Sequence, residues 1–198
     1  LRKIDALTPG QPLALALYRP LGAAPGVLGF KVYRLGAPVV LSDSLPMLEH
    51  MGVRVLSEHS ARLEGTDAAI GLYDFELSAP GTEDQDPEAL ARLFEDAFAR
   101  VFNGEVENDD FNRLVLRAGL AADEIVVLRA YAKYLKQIGF PISQAAIEAT
   151  LAAQPRIARM LVLLFKLRFD PAGHDAEGEQ AQGRAIEQAL EKVANLSE

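Results

Sequence analysis

Three histidines, a run of four carboxylates and one basic stripe are the residues whose chemistry could matter. The histidines are His50, His59 and His174. No two of them stand at the i, i+4 spacing of a helical metal pair. Cysteine is absent, so thiolate ligands and a thiolate nucleophile are excluded. Glu105, Glu107, Asp109 and Asp110 are close enough in sequence to suggest an acid–base pair. They lie in an unpunctuated polar stretch, however, which reads as an exposed loop. Ser42 and Ser44 lack the G-x-S-x-G elbow of a nucleophilic serine and read as helix caps. Gly22 and Gly26 belong to a Pro-containing turn, not to a G-x-G-x-x-G or Walker A phosphate cradle. Arg129, Lys133 and Lys136 recur at three- and four-residue steps, which places them on one helical stripe. That stripe is the candidate interface, for an anion or for an acidic segment. No catalytic, cofactor-binding or metal-ligating residue is assigned.

The elements that would carry these residues follow from composition and pattern. The chain has 198 residues, 49% of them apolar and 24% charged, enough for a substantial core. No apolar run reaches the roughly 18 to 20 residues of a membrane span, and Leu1 to Leu7 lacks the apolar centre of a signal peptide. A cysteine-free chain fits a reducing, cytoplasmic setting. The net charge of −8 argues against nucleic acid as the partner. That charge is uneven. Thr82 to Phe111 carries ten acids and two bases; Asn112 to Asp170 carries nine bases and four acids. Two such segments either attract each other or present two solvated faces. The chain begins on Leu1 and not on Met, which predicts a piece of something longer.

An entry arm (1–11) precedes an apolar stretch at Pro12 to Tyr18, read as a strand. Val27 to Leu35 alternates aromatic and β-branched residues with Lys31 and Arg34, a clearer strand. Ser42 or Asp43 is the expected cap of a helix whose Leu45, Leu48 and Met51 share a face, closed by Gly52. Val53 to Leu63 and Ala68 to Leu77 read as two strands joined by a hairpin-like link at 64–67. Asp86-Pro87-Glu88 opens a helix with a stripe from Leu90 to Phe102, ended by Gly104. The order is β-α-β-β-α with an extra strand in front, an α+β fold of ferredoxin-like character. That arrangement wants a final strand after its second helix. Either the strand at Pro12 to Tyr18 fills the vacant edge, or the edge stays open for another chain.

The remainder reads as an all-helical subdomain. Asp109 or Asp110 caps a short helix closed by Gly119. A longer one opens at Asp123 and Glu124 and runs to about Gln137. Its seam is Ile125, Leu128, Ala132 and Leu135, widened by Val127, Tyr131 and Tyr134, so it should be sandwiched between neighbours. Gly139 and Pro141 stop it. Ser143 caps a helix with Ala146, Ile147 and Leu151 inward; Pro155 starts another with Ile157, Leu161, Leu164 and Phe165 inward. Residues 172–179 form an acidic linker before a final amphipathic helix carrying Ile186, Ala189, Leu190 and Val193. The expected division is 1–108, 109–171 and 172–198.

Several separated phrases are specific. NRLVLRAGL, LRAYAKYLKQIGF and PRIARMLVLLFKLRFDP, with FKVYRLG, LSDSLPMLEHMGVRV and YDFEL before them, resemble the large bacterial type of NAD-dependent glutamate dehydrogenase. The resemblance covers Pro12 to Pro171 and falls ahead of that family's catalytic domain, where an ACT-like regulatory module precedes helical motifs. One departure is visible: Ala122-Asp123 stands where the family usually has a Trp-Arg pair. The resemblance implies a parent enzyme that converts L-glutamate to 2-oxoglutarate and ammonium with NAD. It implies that this chain is a non-catalytic regulatory or oligomerisation segment, inactive alone and binding no cofactor. Its partners would be the rest of the same polypeptide, further copies in a homo-oligomer and an amino-acid effector. The alternative is an autonomous amino-acid-binding or protein-interaction module. In either case the Ile125–Leu135 seam must be buried. Leu128→Ala should therefore cost about 2 to 5 kcal/mol, read as a shift of the urea midpoint.

Overall fold

The computed structural model describes residues 2–63 and 68–193; the link expected at 64–67 lies outside the described residues. In chain order the elements are α1 (Arg2–Asp5), β1 (Leu13–Tyr18), β2 (Val27–Leu35), α2 (Leu41–His50), β3 (Arg54–Leu63), β4 (Ile70–Ser78) and α3 (Pro87–Phe102). A 3₁₀ turn (Asp110–Arg113) then leads into α4 (Leu114–Ala118), α5 (Ala122–Gln137), α6 (Gln144–Ala153), α7 (Pro155–Phe169) and α8 (Ala176–Leu190).

The four strands form one antiparallel sheet in the order β1-β2-β4-β3. β1 lies beside β2, at the edge that a ferredoxin-like sheet normally fills with its last strand. The fold is thus completed from the N-terminal side. The outer edge of β1 is itself attended: Glu95 of α3 accepts the Leu17 N–H at 2.9 Å and receives Lys3 at 2.9 Å. The other edge, β3, carries a bulge between Val55 and Ser57 and the charged side chains Arg54, Glu58 and Arg62. Bulges and charges are features that discourage edge-to-edge pairing.

Alternation places Leu15 and Leu17, Leu28, Phe30 and Val32, and Phe75 and Leu77 on the covered face of the sheet, all buried. The α3 stripe (Leu90, Phe94, Ala97, Phe98, Val101) packs onto them. Phe30 is central, edge-on to Phe94 at 5.1 Å and to Phe98 at 4.9 Å. Each such aromatic pair adds about 0.5 to 1.5 kcal/mol beyond its area. On the opposite face Tyr18 lies across Gly29, its cross-strand partner. A Cβ at position 29 would stand 2.2 Å from the tyrosine Cζ, so any larger residue would displace the Tyr18 ring.

Helix ends follow their local chemistry. Asp86 accepts from the Glu88 and Ala89 N–H groups with Pro87 at the first helical position, and Ser143 accepts from Ala146 N–H. α2, α3 and α5 all close on a left-handed glycine (Gly52, Gly104, Gly139) with the paired backbone bonds of a Schellman motif. α2 differs at its start: Val40 holds the cap position without a side-chain bond, so neither Ser42 nor Asp43 caps it. Both lie within the first turn, and Ser44 is buried against its own Leu41 carbonyl. α8 begins at Ala176, capped by Asp175, earlier than the linker reading allowed. It docks on α7 of this chain through buried Ile186 and a bond from Gln182 to the Met160 carbonyl at 2.9 Å.

One buried apolar cluster runs from Leu15 and Phe30 through Phe98, Phe111 and Val115 to Ile125, Leu128 and Val162, so sheet and helices share a core. Two truncations should separate cap from core by denaturant titration. Asp86→Ala costs about 1 kcal/mol, and Phe98→Ala about 3 to 5 kcal/mol.

Candidate functional site

The basic stripe expected on α5 does not form one exposed surface. Lys133 and Lys136 face solvent, but Arg129 is only 2% exposed. It lies beside Ile125 on the helix wheel and points inward, towards the loop that follows α3. There its Nε donates to Asp109 Oδ2 at 2.7 Å and its Nη2 to Asp109 Oδ1 at 2.8 Å, a bidentate pair. Nη2 also donates to Asn112 Oδ1 at 3.1 Å, and the guanidinium lies 5.6 Å from the Phe111 ring centre. Asn112, itself buried, passes its amide proton to the Glu107 carbonyl at 2.9 Å. Nη1 is buried and has no partner. Burying a guanidinium this way is tolerable only because a carboxylate and an amide meet it.

This corrects two expectations. Arg129 is not a contact surface, because its charge is held inside the fold. Asp109 stands at the cap position of the 3₁₀ turn but does not cap it; its carboxylate is engaged by Arg129. α6 also differs: Ala146 is exposed while Glu148 and Ala152 face inward, and Gln144 donates to Glu148 at 2.8 Å. Tyr131 and Tyr134 are exposed, so α5 is covered on one side only.

Each of the four carboxylates of the loop has a basic partner in the fold. Glu107 pairs with Lys133 and lies 3.5 Å from Arg129 Nε. Asp110 receives Arg113 at 2.9 Å, and Glu105 lies 3.8 Å from Arg100. The hydrogen bond from Lys133, with the nearby charge of Arg129, holds the Glu107 carboxyl below its ordinary range. Other bases of the helical half serve helix ends. Arg159 Nε donates to the Ala118 carbonyl at 2.9 Å and Arg117 Nη1 to the Ala152 carbonyl at 3.4 Å, the C-terminal turns of α4 and α6. Among the described residues Lys136 is the one α5 cation with no ionic or hydrogen-bonding partner.

The histidines are dispersed. His50 meets Asn108 at 3.0 Å, His59 is exposed on β3, and His174 meets Glu179 at 2.6 Å. Among the described residues no group of three or more His, Asp or Glu is placed to hold a metal ion. No helix among them is long and apolar enough to cross a membrane. On the open sheet face Tyr18, Lys31 and Asp74 form a triad: Lys31 donates to Tyr18 Oη at 2.8 Å, Tyr18 to Asp74 at 3.0 Å, and Lys31 pairs with Asp74. Burial works against the ammonium, but the bonds to Asp74 and Tyr18 outweigh it and raise its pKa. A cavity of about 310 Å³ opens between the β2–α2 connection (Gly36, Ala37, Pro38) and Ser60, Arg62 and Tyr73. The sequence pattern carried no signal for this cavity, because the loop and the two strands meet only in the sheet.

Residues 12–90 match the ACT3 domain of glutamate dehydrogenase, and residues 106–171 match its helical motif 3. The chain is similar over its whole length to the NAD-specific glutamate dehydrogenases of Halomonas elongata, at 41% identity, and Pseudomonas aeruginosa, at 39%. It spans 12% and 13% of those proteins. Over 82% of its length it is 40% identical to the enzyme of Mycobacterium tuberculosis, covering 10% of it.

Two measurements test the Arg129 cluster. Arg129→Ala leaves Asp109 without its partner and should cost about 3 to 5 kcal/mol. Lys133→Ala removes an exposed ion pair and should cost less than about 1 kcal/mol. Because the folded Glu107 carboxyl titrates below its unfolded value, its stabilising contribution is complete above the ordinary carboxylate range and is lost as pH falls through the depressed value. The stability gap between the wild type and Glu107→Gln should therefore be constant at neutral pH and close in acid.

Proposed function

Because the chain belongs to the NAD-specific glutamate dehydrogenase family, carrying its ACT3 domain and helical motif 3, we propose that it is a non-catalytic regulatory or oligomerisation segment of such an enzyme. The parent protein would oxidatively deaminate L-glutamate to 2-oxoglutarate and ammonium in the cytoplasm, with NAD held elsewhere in the polypeptide. The observation that carries this reading is the use made of the charged residues. Arg129, Lys133, Asp109 and Glu107, among the groups closest to a site in sequence, are engaged in holding α5 to the loop that follows α3. Such a unit is suited to transmit position from a sheet to whatever its helices touch, and not to bind a reacting carbonyl and a nicotinamide.

An amino-acid sensor is the second reading, favoured by the cavity beside Gly36 and Tyr73. Its volume suffices for a free amino acid.

The purified 198-residue chain should form no NADH from glutamate and NAD; turnover above the blank would contradict the proposal. Calorimetric titration with the twenty amino acids and with adenine nucleotides separates the two readings. Heat from an amino acid, abolished in Tyr73→Phe, would support the sensor. Silence across the panel leaves the structural and assembly role.

A further inference from the structure

An apolar groove of about 400 Å³ runs between α5, α6 and α7. Its walls are Leu128, Tyr131 and Leu135 of α5, Ile147 and Leu151 of α6, and Leu161, Leu164 and Phe165 of α7, with Arg168 as the sole charged lining residue. Phe169 of the lining is exposed, as are Tyr134 on α5 and Ile138, Phe140 and Ile142 at and after the end of α5, Ile138 by 59%. Exposed apolar surface of this kind marks a contact surface. It also explains the breadth of the α5 pattern: one flank is covered by the core and Arg129, and the other faces the groove.

We infer that this groove receives an amphipathic helix from elsewhere in the same polypeptide. Length is one argument. The chain spans only 12 to 13% of its full-coverage relatives, so most of such a polypeptide lies outside it. A tethered segment meets the groove at high effective concentration. Shape is another. The groove is concave, and an isologous contact would set two grooves mouth to mouth, leaving both unfilled. The walls belong to helices of 16 and 15 residues, about 22 to 24 Å long. That length fits an occupant of three turns or more, with anchors at i, i+3 or i+4, and i+7. Charge does not add to this: Arg168, the charged residue of the lining, is already paired with Glu179 of α8, so the apolar stripe specifies the occupant. This rests on the chain being a segment of a longer enzyme, but it is independent of whether that segment regulates turnover.

The test is photo-crosslinking in the full-length parent polypeptide, with p-benzoylphenylalanine in place of Tyr131. The expected product has the mass of one polypeptide. Its crosslinked peptide maps outside this segment, to a helix with the stated spacing. A product of doubled mass, or no crosslink, overturns the inference. A second variant adds Ile138→Ser and Phe169→Ser, both exposed and therefore safe for folding. It should lower the crosslink yield several-fold; an unchanged yield also overturns it. Glutamate dehydrogenase activity is not read in either arm, so failure here is distinguishable from failure of the functional proposal.

Discussion

A guanidinium with almost no access to water sets the terms for the rest of this molecule. Arg129 can be buried only if Asp109 and Asn112 stand where they do, because an unmatched charge in the interior costs several kcal/mol. Asp109 precedes the 3₁₀ turn and Asn112 lies within it, so its geometry is tied to the middle of α5. The loop preceding that turn leaves the Schellman end of α3, the helix that covers the sheet. One ion pair therefore ties the middle of α5 to the loop that leaves α3. Phe111 and Val115 fill the apolar space around it and join the core that begins at Phe30.

The same interaction accounts for the uneven charge along the chain. An acidic stretch followed by a basic one is not two solvated faces here. The bases of the second meet acids of the first, as Arg129 meets Asp109 and Lys133 meets Glu107. Others, such as Arg159 and Arg117, meet the electronegative ends of helices. Exposed pairs of this sort contribute little each; their role is geometric, selecting one docking of the helices among several that apolar packing alone would permit. α7 and α8 are held likewise, with Arg168 and His174 on Glu179.

Much of this was legible in the sequence, for local reasons. Asp86-Pro87, Ser143 and the glycines at 52, 104 and 139 act within one turn of themselves, so their type and position suffice. The stripe from Leu90 to Val101 is a periodicity that only one face can satisfy. What was not legible is non-local. Whether Pro12 to Tyr18 fills the vacant edge depends on a partner some fifteen residues away in β2. The inward turn of Arg129 could not be read from periodicity, which treats any charged residue as solvent-facing. A single clue existed: Arg129 lies beside Ile125 on the apolar side of α5, whereas Lys133 lies towards its polar side and Lys136 sits in the last turn. Conversely, the pattern gave the breadth of the apolar surface on α5 but not what covers it, which is why Tyr131 and Tyr134 were expected inside and stand exposed.

The central claim is that sheet and helical motif form one cooperative structure through Arg129, Asp109 and a shared core. Native-state hydrogen exchange on Asp109→Ala tests it most directly. The account predicts that the amides of Phe30 and Val32 in β2 and those of Leu128 and Ala132 in α5 lose protection by the same free energy. If the α5 amides weaken while the β2 amides keep their wild-type protection, the two halves unfold separately and the claim is wrong.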